Sequence, residues 1–168
     1  MAAKREEAAR EVETLLRQGR LGGAIEEYAK VIQAKPKDWA TMNALGDLYV
    51  RNKQTDQAVT QYSRVADHFF HEGFYSKAAA LYKKILKVKP SEDQARLQLA
   101  EVSVKQGLVV DAKKYWLDLQ RQRRKRGDLR GADEITIKLG ELDTNDLDAR
   151  WAGIRVMMNA GEAVAAIG

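Results

Sequence analysis

The chain has no cysteine, two prolines and two histidines among its 168 residues. Without cysteine there can be no disulfide and no thiolate-bound metal. So little proline, with abundant Ala, Leu, Lys, Glu and Arg and few β-branched runs, points to an all-helical protein. No eighteen apolar residues run together, so the sequence offers no membrane span. Its opening residues, MAAKREEAAREVE, are charged where a signal peptide would need an apolar stretch. The plain reading is a soluble, cytoplasmic protein. Its net charge of +5 is modest, and only the placement of that charge can inform.

What the chain does have is a repeat. The stretch LGGAIEEYAKVIQAKPKD at 21–38 returns as FYSKAAALYKKILKVKPSED and again, more worn, as LRGADEITIKLGELDTND. Ala24, Ala78 and Ala132 are 54 residues apart at each step, as are Gly19, Gly73 and Gly127. Pro36 and Pro90 keep the interval, and Thr144 stands where a third proline would fall. Ala58, Ala112 and Ala166 share an offset, and Tyr62 answers to Trp116. A recurring unit of this size announces a stacked array of helices.

Helical periodicity fills the unit. Ala8, Val12, Leu15 and Leu16 form one stripe of a first helix that Gly19 ends. Ala24, Tyr28, Val31 and Ile32 make the buried stripe of a second, stopped by Pro36, with Asp38 placed to cap the third. That third helix carries Gly46, which costs roughly 1 kcal/mol relative to alanine, so another helix is expected to pass too close there for a side chain. Longer helices are expected over 55–72 and 109–126, and Ser91 with Gln94 reads as a capping box. Near the C-terminus Gly140 reads as an interruption. Trp151, Ile154, Met157 and Met158 supply apolar bulk up to Gly161, and EAVAAIG reads as the stub of one more helix. Short connections make consecutive helices antiparallel neighbours.

The set Leu45, Gly46, Tyr49, Ala58 and Tyr62 resembles the tetratricopeptide repeat, as does the set Leu99, Ala100, Gly107, Ala112 and Trp116. Ala24, Tyr28 and Pro36 match the second half of a copy, and so do Ala78, Tyr82 and Pro90. The resemblance implies a right-handed superhelical array of antiparallel helices, here about nine plus a terminal stub. One departure stands out: the family's unit has two helices in about 34 residues, whereas an interval of 54 has room for three. The expected organisation is a single array with an N-terminal helix at 1–19 and units at 20–73, 74–127 and 128–168. The unfinished last unit reads as the N-terminal part of a longer protein.

The sequence carries no cysteine nucleophile, no glycine-rich phosphate loop and no serine-hydrolase elbow, so neither catalysis nor a cofactor is expected. His68 and His71 share a helix face and could lend ligands to a weak metal site; the plainer reading is a polar last turn near the helix C-terminus. A basic run holds Arg121, Arg123, Arg124, Lys125, Arg126 and Arg130, and Arg123 and Arg124 occupy the places of Phe69 and Phe70 one repeat earlier. It reads either as a docking site for an acidic protein, phosphate or anionic lipid, or as a solvated helix end favoured by the dipole. Aromatic residues do not interleave with these cations, which disfavours nucleic acid. Trp39 reads as a staple on the preceding turn or as a partly exposed contact residue. Some tetratricopeptide proteins clamp a chaperone's terminal carboxylate. Glu13 and Asp47 stand where that clamp would want asparagine, so such binding is disfavoured.

The reading is a non-catalytic scaffold that receives a peptide or helix of a partner protein. The alternatives are an anion-binding module working through the basic run, or a regulatory segment of a larger enzyme. Self-association through an uncovered C-terminal end also fits.

Overall fold

A computed structural model describes residues 2–142 and 145–167, with side chains described over 6–142 and 145–161. Thr144 and Gly168, and the side chain of Ala166, lie outside the described residues. Those residues form nine helices: α1 (Ala2–Arg17), α2 (Leu21–Ala34), α3 (Trp39–Arg51), α4 (Thr55–His71), α5 (Tyr75–Val88), α6 (Asp93–Lys105), α7 (Val109–Lys125), α8 (Leu129–Leu142) and α9 (Leu147–Ile167). The fold is all-α. Helices of 14, 13 and 17 residues at α2, α3 and α4 recur with the same lengths at α5, α6 and α7, and α8 opens the next round at 14. The sequence interval is therefore a three-helix structural interval.

The turns show why the period holds. Gly19, Gly73 and Gly127 adopt φ of +72°, +78° and +80° after α1, α4 and α7, a left-handed turn that glycine makes without a Cβ clash. After α6 Gly107 does the same at +72°, but its counterpart after α3 is Lys53, held at φ +59°. Asp38 accepts from the Thr41 amide at 3.1 Å at the start of α3, and Asp146 from the Ala149 amide at 3.0 Å at the start of α9. The capping box expected at Ser91 and Gln94 does not form, because α6 begins at Asp93 and Ser91 lies in the turn before it. Glu92, not Ser91, holds the register of Asp38 and Asp146, and its carboxylate pairs with Lys89 at 3.1 Å.

The chain divides into two compact units, Met1–Glu92 and Asp93–Gly168. In the first, α1 to α5 each pack on the next helix in sequence; in the second, α6 to α9 do the same. Ala24, Ala58, Ala78, Ala112 and Ala132 are fully buried, so the recurring alanines lie inside the helix packing. Tyr62, Tyr82, Met42 and Ile85 fill the first unit, and Leu99, Trp116, Leu119 and Ile135 the second. Gly140 does not interrupt α8. A Cβ there would lie 2.9 Å from the Ala149 carbonyl, so the glycine lets α9 approach. Nor does Gly161 end a helix: α9 runs through it to Ile167, and the expected terminal stub is part of α9.

Candidate functional site

In each unit, contacts also skip one helix, by means the sequence reading missed. Lys84 of α5 reaches back to α3, where it pairs with Asp47, and its ammonium lies 4.4 Å from the Tyr62 ring centroid. One interval later Lys138 of α8 pairs with Glu101 of α6 at 2.7 Å and lies 5.6 Å from the Trp116 ring centroid. A cation, an aromatic and a carboxylate thus recur together, one from each helix of a consecutive three. The Tyr62 hydroxyl donates to Asp47, while Trp116 has no hydroxyl to offer and its Nε1 finds no acceptor among the described residues. Burial first, and then the bond to the Asp47 carboxylate, raise the Tyr62 pKa far above its ordinary value. The acidic group thought to occupy a clamp position is therefore engaged by its own fold.

The joint around the C-terminal end of α4 is aromatic. Trp39 stacks on His68 with centroids 4.2 Å apart and planes 16° apart. His68 leans on Phe69, Phe69 meets Phe74 edge-on at 6.2 Å, and Lys77 stands 4.9 Å over the Phe74 ring. Trp39 is thus held against α4 and remains half-buried. Phe74 remains 50% exposed at the outer edge. Among the described residues no three His, Asp or Glu side chains gather as a metal site.

The same joint in the second unit is ionic. Asp93 replaces Trp39, Gln122 replaces His68, Arg123 replaces Phe69, and Asp128 replaces Phe74. Arg123 is only 15% exposed; it donates from Nη1 to the Gly131 carbonyl at 2.8 Å and lies 3.6 Å from Asp93, 3.7 Å from Asp128 and 3.6 Å from Glu134. Glycine at 131, where Lys77 stood, makes room, since a Cβ there would sit 2.8 Å from that Nη1. Arg126 pairs with Asp93, and Arg96, in the place of Met42, donates to Gln122 at 2.9 Å. Asp128 also accepts from the Gly131 amide at 2.9 Å, capping α8.

The basic run is therefore divided. Arg123 and Arg126 tie α7 to the starts of α6 and α8. Arg121 pairs with Asp118 at 2.5 Å on its own helix, and Arg130 reaches Glu134 at 3.9 Å while standing almost wholly in solvent. Arg124 and Lys125 are exposed, with no ion pair among the described residues. Subtracting one interval from the acidic positions, which turns Asp93 into Trp39 and Asp128 into Phe74, would have exposed the exchange in the sequence.

Two family models of the tetratricopeptide repeat match the sequence, one over residues 15–71 and the other over 66–124. No curated protein matches it. Among solved structures, the chain is similar to BtubC (BKLC) from P. vanneervenii, with TM-score 0.55 and 18% identity over 92% of this chain and 72% of that one. A Podosopora anserina kinesin light chain structure with nearly identical TPR-like repeats gives TM-score 0.55 at 14% identity, covering 94% and 95%. MamA gives 0.52 at 14%, covering 92% and 96%. At these identities the likeness is one of fold.

Proposed function

This chain belongs to the tetratricopeptide repeat family, whose repeats generally mediate protein–protein interaction, and on that footing we propose that it is a non-catalytic scaffold presenting two chemically different joints to a peptide or helix of a partner. The observation that carries the proposal is the exchange at one repeat position. Packing residues stay constant across copies, with Ala24, Ala78 and Ala132 all fully buried, while the joint beside them changes from Phe69 and Phe74 to Arg123 and Asp128. At the first joint the offered anchor is the Phe74 ring with Lys77 across it; at the second it is the Arg124 and Lys125 pair, flanked by Arg121 and Arg130. A cytoplasmic location and a single array with units at 20–73, 74–127 and 128–168 belong to the same proposal.

Panning a displayed random-peptide library against the purified chain tests it. Enrichment of a shared motif is expected, with binding weakened by Phe74→Ala or by Arg124→Glu with Lys125→Glu. A library that yields no motif, or a motif indifferent to both variants, removes the proposal.

A further inference from the structure

Helix α9 holds the register of α3 and α6. In both earlier helices one face packs on the pair that follows. From α3, Trp39 stacks on His68, Gly46 lies under the Tyr62 ring and Asp47 meets Lys84. From α6, Asp93 meets Arg123, Ala100 packs with Trp116 and Glu101 meets Lys138. On α9 the same face carries Leu147, Trp151, Ile154 and Met158, at spacings of four, three and four residues, and it is exposed: 62%, 63%, 37% and 60%. Four large apolar side chains in one open stripe are more than a solvated helix retains by chance.

The pair α1 and α2 holds the register of the pairs α4 with α5 and α7 with α8. Along the face where those pairs receive α3 and α6, α1 and α2 border an open groove of about 900 Å³ whose lining includes Ala8, Glu11 and Thr14 from α1 and Glu27, Lys30 and Val31 from α2. Lys30 is the counterpart of Lys84 and Lys138; here it pairs with Glu27 of its own helix at 3.1 Å.

Groove and stripe differ from their internal counterparts in complementary ways. Inside the chain a small residue on the entering helix, Gly46 or Ala100, meets a large ring, Tyr62 or Trp116. Ile154 of α9 is large, and the groove residue in the ring's place is Ala8. Charge changes as well: Asp47 and Glu101 become Arg155, while Val65 and Leu81 become Glu11 and Glu27. We propose that α9 of one copy seats in the α1–α2 groove of a second copy, a head-to-tail association that repeats between molecules the packing used twice within one. The contact is heterologous, so each copy both donates a helix and receives one. It stands independently of the peptide-binding joints.

Sedimentation velocity of the 168-residue chain across a concentration series tests this, with Trp151→Glu altering the stripe and Glu11→Arg the groove; both positions are exposed. The unaltered chain is expected to associate reversibly, and each variant alone to associate about tenfold more weakly or worse. An equimolar mixture of the two variants restores one intact contact and gives a heterodimer with nothing larger. Ala8→Tyr, which fills the groove, is expected to behave as Glu11→Arg. A chain that stays monomeric at its highest soluble concentration overturns the proposal. So does undiminished association of both groove variants, which would mean that α9 pairs with α9, or a mixture that remains monomeric.

Discussion

The ring of Tyr62 occupies the space that a side chain at Gly46 would need: a Cβ there would fall 2.7 Å from Cδ1 and nearer still to Cε1. Tyr62 is fully buried and its hydroxyl is held by Asp47, so the ring cannot swing aside. Gly46→Ala is expected to destabilise the chain by about 1–3 kcal/mol through overpacking, although alanine is the better helix former. Gly22→Ala, at a helical position with open space around it, is the control and should be neutral or stabilising. Urea unfolding distinguishes the two; equal effects would mean that α3 and α4 are not in close contact.

Lys53 carries a backbone conformation that its counterpart Gly107 adopts freely. Lys53→Gly is expected to raise stability by about 0.5–1 kcal/mol, the left-handed penalty less the extra freedom of the unfolded glycine. Gly107→Lys should lower it by about 1–2 kcal/mol. Thermal melts of both variants provide the check, and a Lys53→Gly variant less stable than the parent contradicts the turn geometry.

Arg123 and Arg124 are adjacent in sequence but unlike in role. Arg123→Ala leaves Asp93 without one of its cations and removes the side-chain bond to the Gly131 carbonyl, at a cost of about 1–3 kcal/mol. Arg124→Ala should fall within about 0.5 kcal/mol of the parent. Denaturant midpoints measured in parallel would refute the inward placement of Arg123 if the two variants matched.

Tyr82 donates to Asp67 at 2.6 Å, and burial, followed by that bond, raises its pKa well above the ordinary 10.0. The folded state therefore retains a proton that the unfolded chain releases above pH 10, so this contribution is complete below pH 10 and declines as pH rises beyond it. Tyr82→Phe should flatten the fall in stability between about pH 10 and 11. An unchanged slope in urea titrations over that range would show that the phenol is not protected.

Much of the fold was legible because the residues that punctuate it act locally. Pro36 and Pro90 stop helices wherever they stand, and the recurring glycines and alanines mark turns and close approaches with little help from context. Less legible were features that depend on a partner far along the chain. Arg123 looked free because Asp93 lies thirty residues away and earns its place only when α6 and α7 pack. Lys84 and Lys138 carry no mark of their role in the sequence, since the family's recognisable positions are apolar. Gly161 misled for another reason: glycine permits a left-handed turn without requiring one, and α9 simply continues.

The exchange of an aromatic joint for an ionic one gives the two halves of the molecule different sensitivities. Added salt screens the pairs around Arg123 but leaves the stack of Trp39 on His68 nearly untouched. Cooling does the reverse, since burial of rings weakens at low temperature while screened charges change little. A protein whose repeats share one skeleton can in this way loosen in one half or the other according to which solvent variable moves.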